Sequence, residues 1–177
     1  VVNHSSIARK QVRKLEAAYL QKTGGNLGGN GASMFFGGGR WIRYGQTKLA
    51  NAAFTACLHK KLQAKGSKVK AMVAHPGLAE TDLQSTTVKD GGMGEWFTKQ
   101  LMKMGQSRED GALGILTCIA HPDAQSGQFF GPGMGGMFTA LKGPAMGFPL
   151  ETSYDNPETR EILWANSCAA IEEEFNI

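Results

Sequence analysis

The sequence predicts an α/β fold in which a parallel β-sheet is covered by helices. Short apolar stretches that suit buried strands alternate with longer stretches whose apolar residues recur at helical spacing. Their order is strand, helix, helix, strand, helix, helix, strand, helix, which is typical of parallel sheets because each crossover needs a helix. We interpret residues 1–177 as a single incomplete domain, the C-terminal part of a doubly wound parallel sheet, with a glycine-rich insert at about 23–40.

The composition is that of an ordinary globular domain. Its 177 residues suffice for one core, and 41% are hydrophobic while 19% are charged. No apolar run approaches the roughly 18 residues of a membrane-spanning helix. The net charge is only +4, and its densest basic cluster, at Arg9, Lys10, Arg13 and Lys14, is expected on one solvated helix face rather than on a phosphate backbone. No nucleic-acid partner is therefore expected.

The cysteines and histidines argue against disulfides and metal sites. Cys57, Cys118 and Cys168 each lie within a helix-like apolar pattern, so they are expected to be buried free thiols. Such thiols are typical of a reducing compartment, which predicts an intracellular protein. The four histidines are scattered along the chain, and none forms a ligand pair with a cysteine, so no metal is expected.

The first half of the chain predicts one strand and two helices. Residues 1–3 resemble a buried strand, and residues 8–22 have the apolar spacing of a helix. Residues 24–39 contain many glycines and predict a long loop with a hydrophobic tip. A long helix is predicted over 41–64, with Gly66 as its natural stop.

The second half predicts two strands and three helices. Residues 69–74 and 128–131 are strand-like, a turn is expected at 90–94, and an apolar spacing at Trp96, Phe97, Leu101 and Met104 predicts a short helix. Ser107 suits the N-cap of a helix over 108–120. Asp155 is expected to cap a last helix that holds Pro157 in its first turn.

Three groups of residues with chemical potential fall at strand ends or at the start of the long helix. Ser5 and Ser6 follow the first strand, Pro76 and Gly77 follow the second, and the stretch Tyr44-Gly45-Gln46-Thr47-Lys48 begins the long helix. Ligands of open parallel sheets bind outside the carboxyl ends of the strands. These groups are therefore expected to face one crevice.

In these residues the sequence resembles the short-chain dehydrogenase/reductase family. The family's Tyr-x-x-x-Lys is matched at Tyr44 and Lys48, its Asn-x-Ser-Ser at residues 3–6, and its Pro-Gly-x-x-x-Thr at residues 76–81. The stretches Tyr-Gly-Gln-Thr-Lys-Leu-Ala-Asn and Asp-Ala-Gln-Ser-Gly resemble the retinol-dehydrogenase-like and protochlorophyllide-reductase-like branch. The resemblance implies a Rossmann-type fold and hydride transfer between a nicotinamide cofactor and a carbonyl or alcohol.

The resemblance also implies a role for each matched residue. Tyr44 would be the general acid/base, Lys48 would favour its phenolate and hold the nicotinamide ribose, and Ser6 would steady the substrate oxygen. A free phenol has a pKa near ~10, so an ammonium one helical turn away would help it act as a base. The cofactor would also contact residues of the turn after the second strand, namely Pro76, Gly77, Ala79 and Thr81. NADP is slightly favoured over NAD.

The pattern departs from the family at the cofactor half. No strand, glycine-rich turn and helix precede Ser6, so the chain is expected to lack the N-terminal cofactor-binding half and to be inactive alone. The Gly-x-Gly-x-x-Gly at 131–136 is interpreted as a loop, because another glycine-proline pair soon follows it. The apolar tip at 34–36 could be a lid over the substrate or a bulge.

Three interpretations of function stay open. The first is an oxidoreductase acting on a lipophilic or aromatic carbonyl or alcohol, as Met93, Trp96, Phe97, Leu101 and Met104 lie where the family covers its substrate. Residues at such helical spacing are, however, more often part of a core. The second is a catalytically inactive fragment or a scaffold that keeps the fold. The third is a small module that pairs through an exposed sheet edge. Homo-oligomers could form, and any membrane association would come through the missing N-terminus.

Overall fold

The structure, a computed structural model, describes most of the chain. It covers residues 1–22, 25–31, 38–79, 95–133 and 141–177, except for the side chains of Glu95, Phe97 and Leu101. Several predictions therefore lie outside the described residues: the tip at 34–36, Thr81, the turn at 90–94 and Met93.

The described residues form four strands, four α-helices and two short 3-10 helices. In chain order they are β1 (Val2–His4), the 3-10 helices Ile7–Gln11 and Ala17–Leu20, α1 (Gly39–Ala64), β2 (Met72–Ala74), α2 (Glu95–Met102), α3 (Arg108–Ala120), β3 (Gln128–Pro132), β4 (Ala145–Pro149) and α4 (Pro157–Ile171).

The sheet has the order β1-β2-β3-β4 and is mostly parallel. Strands β1, β2 and β3 run parallel, with Val2 opposite Met72 and Val73 opposite Phe129. Strand β4 runs antiparallel to β3, with Gln128 opposite Pro149. The predicted α/β class with a parallel sheet is thus confirmed.

Alternating residues of β2 and β3 build two separate cores, because successive side chains of a strand point to opposite faces. Val73 and Phe129 pack with α1 and α4 on one face. Met72, Ala74 and Phe130 pack on the other face, where α3 contributes Cys118 and Ile115. Helices therefore cover both faces of the sheet, as in doubly wound folds.

Two helix predictions hold closely. Helix α1 begins at Gly39, two residues before the predicted start, and Gly66 follows its end with a φ of +61°. Helix α3 spans the predicted residues, and the Ser107 hydroxyl oxygen accepts a hydrogen bond from the Asp110 N–H at 3.0 Å. Among the described residues, no helix combines the length and apolarity needed to cross a membrane.

The helix predicted over 8–22 is wrong. Two 3-10 helices occupy this stretch, with extended backbone at Val12 and at Glu16. The buried side chain of Gln46 on α1 donates to the Lys14 carbonyl at 3.0 Å and accepts from the Glu16 N–H at 3.2 Å. Because these backbone groups bond to α1, a continuous helix does not form.

The basic cluster predicted on one solvated helix face is exposed at Lys10, Arg13 and Lys14, but Arg9 is buried with only 4% of its surface exposed. Its guanidinium forms an ion pair with Glu151 at 2.5 Å and lies 4.1 Å from the centre of the Phe129 ring. Burial of a guanidinium is tolerated when it is paired and hydrogen-bonded; here Nη1 and Nη2 have partners, whereas the buried Nε has none among the described residues.

Element boundaries also differ from the predictions in the strands and in α4. Strand β2 begins at Met72 rather than at residue 69, and Val69 is 51% exposed. The sequence does not predict strand β4, because the glycine-proline pair just before it indicates a loop. Asn156, not Asp155, caps α4 by accepting from the Thr159 N–H, whereas Asp155 forms an ion pair with Arg160.

The short apolar helix is confirmed as α2, but its apolar residues do not all enter a core. Trp96 is 73% exposed, and Met104, beyond the end of the helix, is also exposed. Core packing, which was one of the two interpretations of this apolar spacing, is therefore wrong for these two side chains.

Candidate functional site

Tyr44 and Lys48 lie one turn apart on the same face of α1. The Lys48 Nζ atom is 5.6 Å from the centre of the Tyr44 ring. On the other side, the Trp41 ring meets the Tyr44 ring edge-on at 6.0 Å. Tyr44 is half-buried, and no described residue forms a hydrogen bond with its hydroxyl. The phenol is thus held by ring contacts while its hydroxyl remains unpaired within the described chain.

The carboxyl end of β1 is fastened to this same part of α1. The His4 carbonyl accepts hydrogen bonds from Asn51 Nδ2 at 2.8 Å and from Lys48 Nζ at 3.4 Å. The buried Ser5 hydroxyl donates to the Lys48 carbonyl at 2.8 Å. The structure therefore brings Lys48 to the end of a parallel strand, where ligands of such sheets bind.

Ser6 follows directly and begins the first 3-10 helix. Its hydroxyl oxygen accepts a hydrogen bond from the Ala8 N–H at 3.2 Å. This 3-10 helix packs against α1 at Gly45, where a Cβ atom would lie only 3.0 Å from the Ala8 carbonyl oxygen. The glycine next to Tyr44 thus lets the segment after Ser6 pack closely against α1.

Burial lowers the pKa values of two basic side chains at this site. Burial lowers the pKa of Lys48 below its ordinary value, because a half-buried ammonium loses hydration. Partial desolvation, and secondarily the charge of Lys48, lowers the pKa of His4. A negative charge close to Lys48 would oppose this lowering of its pKa.

The turn after β2 holds the other predicted cofactor residues. Gly77 has a φ of +65°, and a Cβ atom there would lie 2.7 Å from the Pro132 ring. Its N–H donates to His75 Nδ1 at 3.2 Å, and the Pro76 carbonyl accepts from Gln106 Nε2 at 2.8 Å. Ala79 is buried and forms an isolated β-bridge with Gln106. Packing within the chain thus explains why this turn needs a glycine, and contact with a cofactor is not required for that explanation.

Sequence reasoning missed three residues that shape the site. Asn51 lies one turn beyond Lys48 on α1, and that spacing was a signal that could have revealed it. His75 precedes the Pro76-Gly77 turn and is buried. Arg9 is distant from Glu151 in sequence, so nothing local could have indicated their ion pair.

Within the part of the chain that the structure describes, the remaining candidate ligands do not form a metal centre. Among the described residues, no group of three histidine, cysteine or acidic side chains could hold a metal ion. Cys57 and Cys118 are buried free thiols, as predicted, whereas Cys168 is half-buried. Burial raises the pKa of both buried thiols to about 11, so they are poor nucleophiles.

Comparisons with known proteins inform the fold. No family model matches this sequence. No curated protein matches it either. A crystal structure of an uncharacterized protein from Mycobacterium paratuberculosis is similar over all of this chain and 52% of its own, with 24% identity and a TM-score of 0.61. The chain thus spans about half the length of that protein, and the likeness establishes an α/β fold with a mostly parallel sheet.

Proposed function

We propose that this chain carries the acid–base residues of a nicotinamide-dependent oxidoreductase of the short-chain dehydrogenase/reductase type, which interconverts a carbonyl and an alcohol. The observation that carries the proposal is the pair Tyr44 and Lys48 on one face of α1, fastened to the carboxyl end of β1. The motifs at Ser6 and Pro76-Gly77 support it through the resemblance of the sequence to that family.

Tyr44 would transfer the proton in this chemistry. Its hydroxyl would donate a proton to the carbonyl oxygen during reduction, or accept one from the alcohol during oxidation. Lys48 would stabilise the phenolate by its charge, and the phenolate would in turn favour the protonated amine that burial disfavours.

Ser6 would orient the substrate oxygen. Its hydroxyl oxygen already accepts from the Ala8 N–H, which leaves the hydroxyl proton free to be donated. A donor directed at the oxygen on which negative charge develops would stabilise the transition state.

A nicotinamide cofactor, NADP slightly in preference to NAD, would supply or accept the hydride when bound. An ammonium has three N–H groups, and Lys48 uses one in a long bond to His4, so two could hold ribose hydroxyls. The turn after β2 is less suited to holding the cofactor, because the Gly77 N–H and the Pro76 carbonyl already form hydrogen bonds within the chain. Contacts from Pro76, Gly77, Ala79 and Thr81 to the cofactor stay predictions from the resemblance.

The test is Tyr44→Phe in the longest natural polypeptide that contains these residues. With NADPH or NADH and an aromatic aldehyde, we expect kcat to fall about 10²- to 10⁴-fold, because the proton donor is lost while the ring remains. Absorbance of the reduced nicotinamide measures the rate.

Tyr19→Phe is the matched control, because Tyr19 is also half-buried but lies on the second 3-10 helix. It should keep kcat within about twofold, on the usual small effect of changes away from the reacting groups. Equal activities of the two variants, or no turnover of any tested carbonyl by the unmodified protein, would contradict the proposal.

A scaffold that keeps the fold without the chemistry is the second candidate. It is favoured by the hydrogen bonds that already occupy the turn at Pro76 and Gly77. Fluorescence titration with NADPH separates the two candidates. An enzyme should bind the cofactor saturably and lose affinity on Lys48→Met, whereas a scaffold should show no saturable binding.

A further inference from the structure

A concave site is lined in part by the residues next to Ser6 and Pro76 in the chain. A cavity of about 260 Å³ opens between the first 3-10 helix and strands β3 and β4. Pockets for drug-sized ligands span about 300–1,000 Å³, so an occupant here would be small, such as one substituted ring. The walls are largely apolar and include Phe129, Phe148 and Pro149.

The charged side chains of this cavity leave it with one net positive charge. Arg9 and Glu151 form an ion pair at 2.5 Å, and Lys10 lies 3.7 Å from the same carboxylate oxygen of Glu151. Arg9 also donates to the Ser6 carbonyl at 3.1 Å. Two cations thus share one carboxylate, and Lys10, which is 46% exposed, can turn its ammonium toward a ligand.

His75 adds a neutral donor to the lining. Its Nδ1 atom accepts from the Gly77 N–H at 3.2 Å, so in the neutral ring the proton is on Nε2. Burial, followed by the charges of Arg9, Lys10 and His4, lowers the pKa of His75 to about 3, so the ring is neutral at physiological pH. Within the described chain no acceptor bonds to Nε2–H, although the side chain is only 4% exposed.

We propose that this cavity binds a carboxylate attached to an aromatic ring, with Lys10 and the Nε2–H of His75 as its donors. The ring would pack against the apolar wall that includes Phe148 and Pro149, and the carboxylate would compensate the excess positive charge. Ile7 directly follows Ser6 and His75 directly precedes Pro76, so the cavity lining includes chain neighbours of two candidate site residues. Its use as a substrate subsite, which would make the substrate an aromatic carboxylate, rests on the proposed function; the binding itself does not.

Binding of benzoate to the purified chain tests this assignment without any cofactor or turnover. We expect saturable NMR shifts of the His75 and Phe129 resonances, with a dissociation constant of about 1–10 mM, as suits a small ligand held by few contacts. Benzyl alcohol, which keeps the ring but lacks the charge, should bind at least about fivefold more weakly.

Two charge variants locate the site. Lys10→Gln should weaken benzoate at least about threefold, whereas Lys14→Gln, an exposed control four residues along, should leave the affinity unchanged. Neither change removes a buried side chain, so folding should be preserved. The assignment is overturned by absence of saturable shifts up to about 50 mM, by equal binding of benzyl alcohol, or by equal effects of the two variants.

A failure here differs from a failure of the proposed function. If benzoate binds but Tyr44→Phe leaves turnover unchanged, the carboxylate site stands without the enzymatic role. If turnover depends on Tyr44 but benzoate does not bind, the cavity is not a carboxylate site.

Discussion

His75 shows how a single buried side chain can link stability to pH. The ring packs 5.4 Å from the Phe129 ring, and its Nδ1 atom accepts from the Gly77 N–H. Protonation would break that hydrogen bond and place a cation beside Arg9 and Lys10. The sequence offered a histidine next to a Pro-Gly turn, but only packing across the sheet makes it neutral.

We predict that acid destabilises the protein through His75. Its pKa is about 3 in the folded state against 6.5 in the unfolded state, so the unfolded chain binds the extra proton between these values. Stability is therefore complete above about pH 6.5 and decreases by about 1.4 kcal/mol per pH unit below it, or about 2 kcal/mol by pH 5. Urea unfolding at pH 7, 6 and 5 measures this slope.

His75→Gln should be less stable at pH 7 and should show a shallower slope, because the titrating group is gone. The exposed residue His121 provides the matched control, His121→Gln, which should keep the steep slope. If both variants keep the slope of the unmodified chain, another group is responsible.

Helix α1 shows how one element decides the structure of another. Its own sequence predicts it well, because the apolar spacing from 41 to 64 and the glycine after it are both local signals. The stretch 8–22 has similar spacing but does not become an α-helix. Gln46, 1% exposed, bonds to two of its backbone groups, and such a tertiary contact overrides a weak local preference.

We predict that Gln46→Leu lowers the free energy of unfolding by about 1–3 kcal/mol. The substitution keeps similar bulk but leaves the Lys14 carbonyl and the Glu16 N–H without their partner. Denaturant unfolding followed by circular dichroism measures the change.

Gln63→Leu serves as the control, because Gln63 is exposed on the same helix. Its effect should stay within about 0.5 kcal/mol. Equal losses for the two variants would mean that the hydrogen bonds of Gln46 do not hold the stretch 8–22 in place.

The sheet separates two hydrophobic cores, one on each of its faces. The larger core joins α1, β2, β3 and α4 through buried residues such as Leu49, Val73 and Leu163. The outer face of α3 is different, since Leu113, Leu116 and Ile119 are exposed. Apolar residues on a helix are therefore not equivalent, and only tertiary packing distinguishes them.

We predict that Leu163→Ala destabilises the chain by about 2–5 kcal/mol, through lost burial and the cavity left in the larger core. Leu113→Ala, the same change on an exposed helical position, should alter stability by no more than about 0.5 kcal/mol. Thermal and urea unfolding compare them. Similar losses in both variants would show that the face of α3 is also covered.

Local signals account for what the sequence predicted. The α/β class, the ends of α1 and α3, and the pairing of Tyr44 with Lys48 all follow from periodicity, capping residues and helical spacing, which act over a few residues.

The remaining features required the tertiary structure. Strand β4, the two 3-10 helices, the buried Arg9–Glu151 ion pair and the neutral His75 each depend on residues distant in sequence. Their hydrogen bonds, charges and burial exist only once the sheet brings those segments together, and a local pattern does not contain that information.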